Sequence, residues 1–279
     1  MSDRRDNRLL ICQHNILAPI WVAPEYSLLP CSGSFLDPHR QSVTTDYLIK
    51  LRADIYCLCE VQGTAVDSLS IAFPEHDVFF AANEPGYWSE WLSEDMRGES
   101  TTNGTCVLLR RGRFERCEAT ALSLGDGCVC CVVTCQHISS DMSMLVVSIH
   151  FDVGNRKWLE AASLLSALST HYLPVGLTVI AGDYNSPDVS AFYRSGYKEY
   201  ALRADSTPLY QGMIDHTLLL SRDDLEAFGR VLSIPRDRPT TMRGLVSGIC
   251  ETVSTNGSDH FATVTLVKLP RRTEKRDDS

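Results

Sequence analysis

Leu177-Thr178-Val179-Ile180-Ala181-Gly182-Asp183-Tyr184-Asn185 is an apolar run that ends in a carboxylate and, two residues on, an amide. The run reads as a buried strand, and period-two alternation places Asp183 and Asn185 on the same side of it. Ser258-Asp259-His260 stands before the last apolar segment, Phe261 to Leu269, and gives a second strand end its own polar ligands. Carboxylates and amides converging at strand ends suit a hard cation, a phosphate-bound water, or both. Phosphate ester chemistry is the expectation.

Outward from that stretch the pattern alternates between strands and helices. Leu9 to Leu17 reads as a first strand, Asp37-Pro38 as an N-cap with proline in the first turn, and Val43, Tyr47 and Leu51 as the buried stripe of the helix that follows. Ala53 to Glu60 returns as an apolar strand ending in a carboxylate. From Gly104 to His150 short strands succeed one another between the turn signals Gly112, Gly125-Asp126-Gly127 and Ser139-Ser140-Asp141, a meander that should build most of one sheet. Asn155 is placed to cap a helix whose buried face holds Trp158, Ala161, Ala162, Leu165 and Leu168. Met213 to Leu220 and Phe261 to Leu269 complete the strands. The expected architecture is two packed mixed sheets flanked by helices.

Composition bounds the rest. The chain has 279 residues, 44% of them hydrophobic, which suits one large domain over 1–270 with a charged, disordered tail at 271–279. A net charge of -9 argues against gripping long nucleic acid by bulk electrostatics and favours a short or singly docked substrate. No apolar run reaches membrane-spanning length and the N-terminus lacks a secretory pattern, so a cytoplasmic setting is expected. Cys57, Cys59, Cys106, Cys128, Cys130 and Cys131 lie in apolar strands and read as small hydrophobes in a reducing compartment. Zinc at Cys128, Cys130, Cys131 and Cys135 fails on alternation, which sends the first two and the last two to opposite faces.

Asn15, Glu60, His150, Asp183, Asn185, Asp215, Asp259 and His260 all fall at strand ends, where buried polar groups are expensive unless they share a task. The blocks that hold them are Gln13-His14-Asn15-Ile16-Leu17-Ala18, Ala53-Asp54-Ile55 through Cys59-Glu60-Val61, Gly182-Asp183-Tyr184-Asn185-Ser186 and Ser258-Asp259-His260. In that order they resemble the endonuclease/exonuclease/phosphatase superfamily. Asn103-Gly104-Thr105 through Arg113-Phe114, and Gln211-Gly212-Met213-Ile214-Asp215-His216, look most like its branch of carbon-catabolite-repressor deadenylases, nocturnin and angel proteins. The resemblance implies a four-layered α/β/β/α sandwich with the site at one edge. It also implies Mg²⁺, with Mn²⁺ able to substitute, held by Glu60 with Asn15 and Asp259. Asp183 would orient and deprotonate the attacking water, Asn185 would steady phosphoryl oxygens, and His150 would bond to phosphate. Asp259 and His260 are adjacent on a strand and should face opposite ways. Asp215, aligned with the family's histidine-orienting aspartate, is then the partner of His260.

The chain departs from that branch's pattern at Cys59, at Ser148 and at Phe151-Asp152-Val153-Gly154, and its base pocket would be rebuilt around Tyr210. Arg110, Arg111, Arg113 and Arg116 form a basic cluster from which Arg110 is the substrate-binding candidate; a surface strand explains them nearly as well. Tyr87, Trp88 and Trp91 lie in a polar segment from Asn83 to Thr102 that reads as a loop or short helix on the site's rim, or as the buried face of a local helix. His14, His39, His76, His137, His171 and His216 read as structural, and Asp152 as a solvated acid. The leading functional expectation is a phosphodiesterase removing nucleotides from RNA 3′ ends. The alternatives are a phosphatase acting on a nucleotide 2′-phosphate or a terminal cyclic phosphate, and an RNA-binding module of the same fold without catalysis. RNA or a nucleotide is the expected partner, without a membrane and without a visible protein-docking module.

Overall fold

The structure is a computed structural model, and it describes residues 7–18, 39–85, 87, 102–172, 175–199, 214–221, 226–231, 258 and 260–270. The strands are β1 (Arg8–Asn15), β2 (Ile55–Gln62), β3 (His76–Ala82), β4 (Asn103–Arg110), β5 (Phe114–Gly125), β6 (Cys128–His137), β7 (Met142–His150), β8 (Leu177–Asp183), β9 (Lys198–Glu199), β10 (Asp215–Ser221), β11 (Glu226–Val231) and β12 (Thr263–Lys268). The helices are α1 (Arg40–Leu51), α2 (Val66–Ala72), α3 (Lys157–His171) and α4 (Ser190–Arg194). Two mixed sheets form, ordered β11-β12-β1-β2-β4-β3 and β5-β6-β7-β8-β10-β9.

Alternation explains why they stack. Leu9, Ile11, Ile55, Cys57, Val107 and Leu109 line the inner face of the first sheet and meet Val129, Cys131, Val133, Val146, Val179 and Ala181 of the second. The opposite faces are covered by helices: Leu48 of α1 with Leu69 of α2 against Tyr56 and Leu58, and Leu164 and Leu168 of α3 with Phe192 of α4 against Val147 and Ile180. The result is a four-layered α/β/β/α sandwich. Cys128 and Cys130 face α3 while Cys131 and Cys135 face the first sheet, so the cysteines pack as apolar side chains. Burial pushes the Cys131 thiol up to about 12. Among the described residues no helix is long and apolar enough to cross a membrane.

Three expectations shift. The buried line of α1 runs through Arg40, Thr44 and Leu48, with Val43, Tyr47 and Leu51 half-buried beside it. Arg40 tolerates burial because its guanidinium donates to the carbonyls of Ile16 and Leu17. On α3 the buried residues are Glu160, Ala161, Leu164 and Leu168, whereas Trp158 and Ala162 face water. Glu160 goes inside because it accepts from the Tyr87 hydroxyl at 2.7 Å and from Asp152 N–H at 2.9 Å, bonds that an apolar pattern does not reveal. The meander also divides: β4 pairs with β2 and β3 in the first sheet, and β5, β6 and β7 join β8, β10 and β9 in the second. Asp37, Pro38, Trp88, Trp91 and the tail at 271–279 lie outside the described residues.

Topology brings several strand ends to one edge of the sandwich. β1 and β2 are parallel and end there, β7 and β8 are parallel and end there, and β10 and β12 begin there because each is antiparallel to a neighbour. Beside that edge, a Cβ on Gly104 would stand 1.9 Å from the Ala81 carbonyl oxygen, so β3 and β4 pair here only without a side chain. Gly104→Ala should cost about 3 kcal/mol or more in urea unfolding, in the upper range of overpacking. Gly112→Ala, which meets nothing within 4 Å but keeps a φ of +76°, should cost only about 1 kcal/mol.

Candidate active site

The inner stripes of both sheets turn polar as they approach this edge. His150, Asp183 and Asp215 are register neighbours across β7, β8 and β10, so their side chains share the inner face. On the first sheet Gln13 and Asn15 continue the stripe of Leu9 and Ile11, and Asn15 pairs in register with Cys59. By alternation Glu60 should face outward. It does not, because the register of β2 against β4 shifts between Leu58 and Val61 and Glu60 takes a φ of 54°. That bulge re-aims the carboxylate toward the edge. Ser148 Oγ, reaching over from β7, donates to the Leu58 carbonyl at 3.0 Å within the bulge.

The acids then meet. Asn15 Nδ2 donates to Glu60 Oε1 at 2.7 Å and to Asp183 Oδ2 at 3.1 Å, and Ala18 N–H donates to Glu60 Oε2 at 3.1 Å. Leu17 N–H holds the other end of the amide by donating to Asn15 Oδ1 at 3.0 Å. His150 Nε2 lies 3.7 Å from Glu60 Oε1 and 3.9 Å from Asp183 Oδ2, and His260 Nε2 lies 3.8 Å from the same Asp183 oxygen. His260 Nδ1 is 2.8 Å from Asp215 Oδ2, while Gln13 Nε2 donates to Asp215 Oδ1 at 2.7 Å. Both Asp215 oxygens are therefore engaged, and the imidazole is held with Nε2 toward Asp183. Burial, then the charge of Asp215, raises the Asp183 pKa; the two histidines oppose this.

Asn185 reaches the site by a turn rather than by strand alternation. β8 ends at Asp183, Asn185 adopts a left-handed φ of 49°, and its N–H donates back to Asp183 Oδ1 at 2.7 Å. Its Nδ2 donates to the Phe151 carbonyl at 2.7 Å, which leaves a second amide hydrogen for another acceptor. Arg110 is not at this edge. It lies at the far end of β4 beside the start of β2, 3.7 Å from Asp54 and 3.0 Å from Glu75, so its guanidinium braces the opposite end of the sheet. Asp152 is buried rather than solvated; its Oδ1 accepts from Gly154 N–H. Asp259 and Tyr210 lie outside the described residues.

Four residues that hold this arrangement were not picked out for it from the sequence. Gln13 links Asp215 to the Thr263 hydroxyl, Ser258 Oγ donates to the Asn15 carbonyl at 2.6 Å, Ser148 serves the bulge, and Lys157 Nζ donates to the Asn185 carbonyl at 2.7 Å. Gln13 carried a signal, since it stands on the apolar stripe of β1. Lys157 carried none.

Oxygen donors on the Glu60 side suit a hard divalent cation. Asp183, Asp215 and His260 also present ligand atoms within 4.8 Å of one another, all buried, and this group could hold a metal. On the Glu60 side the carboxylate ligands would be Glu60 and Asp183, which come from different sheets and share the Asn15 amide. In the present arrangement the Asn15 amide turns its hydrogens to both acids and so braces them.

The fold is similar to that of solved structures described as endonuclease/exonuclease/phosphatase proteins. Among solved structures, ANGEL2, a 2′,3′-cyclic phosphatase, superimposes with a TM-score of 0.69 at 14% identity, over 93% of this chain and 95% of that one. The human nocturnin catalytic domain with bound sulfate gives 0.65 at 16% identity, over 95% of each chain. An endonuclease/exonuclease/phosphatase protein from Bacteroides vulgatus gives 0.67 at 13% identity, over 94% and 99%. No protein-family model matches the sequence, and no curated protein matches it.

The elevated Asp183 pKa has a signed consequence. Folded protein holds that proton more tightly than unfolded chain, so without a cation the contribution of Asp183 to stability falls as pH rises from the ordinary aspartate range through the raised value. Urea unfolding in chelator should show this slope in the native protein and a flatter one in Asp183→Asn. Saturating Mg²⁺ should reduce it, adding about 2.7 kcal/mol at a hundredfold excess over Kd.

Proposed function

We propose that the protein is a Mg²⁺-dependent phosphodiesterase that removes nucleotides from RNA 3′ ends by attack of water on phosphorus. The observation that carries this reading is the meeting of Glu60 and Asp183, from different sheets, on the one amide of Asn15, with His150 and the Asp215-held His260 facing Asp183. Glu60 would hold the cation, with Asp183 beside it and Asn15 within reach by turning its amide. Asp259 is retained as a further ligand by its place in the motif. The bound cation would neutralise phosphate oxygens and polarise the scissile group.

The protein's own groups supply the rest. Asp183, held by the Asn15 amide and the Asn185 N–H, would orient the water and accept its proton as the new oxygen–phosphorus bond forms and the phosphorus–O3′ bond breaks, the departing oxygen leaving on the shortened RNA with a proton from solvent. Protonated His260, its Nδ1–H bonded to Asp215, directs Nε2–H at the negative charge that builds on the phosphoryl oxygens. His150 and the second amide hydrogen of Asn185 contribute further hydrogen bonds to phosphate. The net charge of -9 fits a chain end docked singly rather than a long duplex.

A second reading has its own support. The likeness to ANGEL2, a 2′,3′-cyclic phosphatase with a structure in complex with adenosine-2′,3′-vanadate, favours hydrolysis of a phosphate at an RNA or nucleotide end by the same residues. Nothing in the arrangement favours a binding module without catalysis.

A substrate panel of oligo(A), mixed RNA, 2′,5′-linked oligoadenylate, cyclic-phosphate-ended RNA and phosphorylated dinucleotide, each with Mg²⁺, Mn²⁺ or chelator, separates the readings. Stepwise shortening of RNA that chelator abolishes supports the first; release of terminal phosphate at constant length selects the second. Glu60→Gln and His260→Asn should each lower kcat by about 100-fold or more while the fold persists by circular dichroism. Chelator-insensitive cleavage would overturn the metal assignment.

A further inference from the structure

On the reading that the substrate is a nucleotide or RNA end, the base next to the scissile phosphate needs a surface to rest on. The aromatic rings in the second sheet's helix-side core do not offer one. Phe151, Tyr184, Phe192 and Tyr197 are buried and pack against one another edge to face or stacked, and the Tyr193 hydroxyl donates to Glu199. Trp158 is different. It opens α3 with 45% of its surface in water, beside Leu159 at 68% and Val153 at 51%.

A short chain of contacts ties that indole to the site. Lys157 Nζ stands 5.7 Å from the Trp158 ring centroid and donates to the Asn185 carbonyl at 2.7 Å, with the Val153 carbonyl at 3.4 Å. Asn185 N–H in turn donates to Asp183 Oδ1 at 2.7 Å. The ammonium is held between two carbonyls, so it sets the distance between the indole and the residue proposed to touch phosphate. A cation against the ring also places positive charge beside a phosphodiester backbone.

We infer that Trp158, braced by Lys157, is the platform on which the nucleobase attached to the scissile phosphate stacks. Indole stacking is tolerant of base identity because each base presents a π-face. The ligand class is therefore a single-stranded RNA end or a mononucleotide of any base.

The test compares the native protein, Trp158→Ala and Trp158→Phe on a short RNA and on an abasic RNA of the same length, a diester backbone without bases, all with Mg²⁺. Trp158→Ala should raise KM for RNA by about 5- to 150-fold, Trp158→Phe should restore most of it, and neither should change the baseless diester. Equal effects of Trp158→Ala on both substrates, or none on RNA, would overturn the platform and leave the hydrolytic reading standing. Binding of AMP in chelator is read separately by tryptophan fluorescence. Quenching present in the native protein and lost in Trp158→Phe supports the platform even if no RNA is cleaved; quenching that is unchanged in Trp158→Phe overturns it.

Discussion

Two carboxylates that would repel one another, Glu60 on the first sheet and Asp183 on the second, are held together by the N–H groups of a single amide, Asn15. The rest of the edge is arranged to make that contact tolerable. Ala18 and Asn185 turn backbone N–H groups to the free sides of the two acids, and two imidazoles stand just beyond them. Such an arrangement costs stability without a cation and is kept for what the acids do, which is the usual relation between a polar buried site and the fold around it.

The same alternation that builds the core builds the site. Val146, Ser148 and His150 follow one another on the inner face of β7, as do Val179, Ala181 and Asp183 on β8 and Leu219, Thr217 and Asp215 on β10. The space between the sheets is therefore apolar over most of its length and polar at one edge. Glu60 breaks the rhythm. Its left-handed φ carries a strain on the order of 1–3 kcal/mol, sustained by strands on both sides and by Ser148 at the Leu58 carbonyl.

Behind the edge, the turn after Asp183 is anchored from beneath. His216 places Nδ1 2.7 Å from Glu199 and Nε2 2.9 Å from the Ser186 carbonyl, and its ring meets Tyr184 edge-on. Lys157 holds the same turn from α3. The residues facing phosphate in the proposed mechanism thus sit on a loop fixed from two sides, which is what positioning an attacking water requires.

Much of this was legible in the linear chain. Period-two runs marked β8 and most other strands, and the polar residues at their ends named Asn15, Glu60, His150, Asp183, Asp215 and His260, which the fold gathers at one edge. A repeating pattern reads burial through apolar character and direction through parity, and it is blind where either rule is broken. It therefore placed Arg110 toward substrate and Trp158 in the core, and it did not foresee Glu160 or Arg40 inside. Each of those outcomes depends on a partner far away in sequence: Asp54 and Glu75 for Arg110, Tyr87 for Glu160, the Ile16 and Leu17 carbonyls for Arg40. Residue identities and strand rhythm determined the layers and the chemistry available to them. Only the folded arrangement decided which way Glu60 turned and where Trp158 stood, because a bulge and a helix's rotation are set by neighbours that the chain brings together only when it packs.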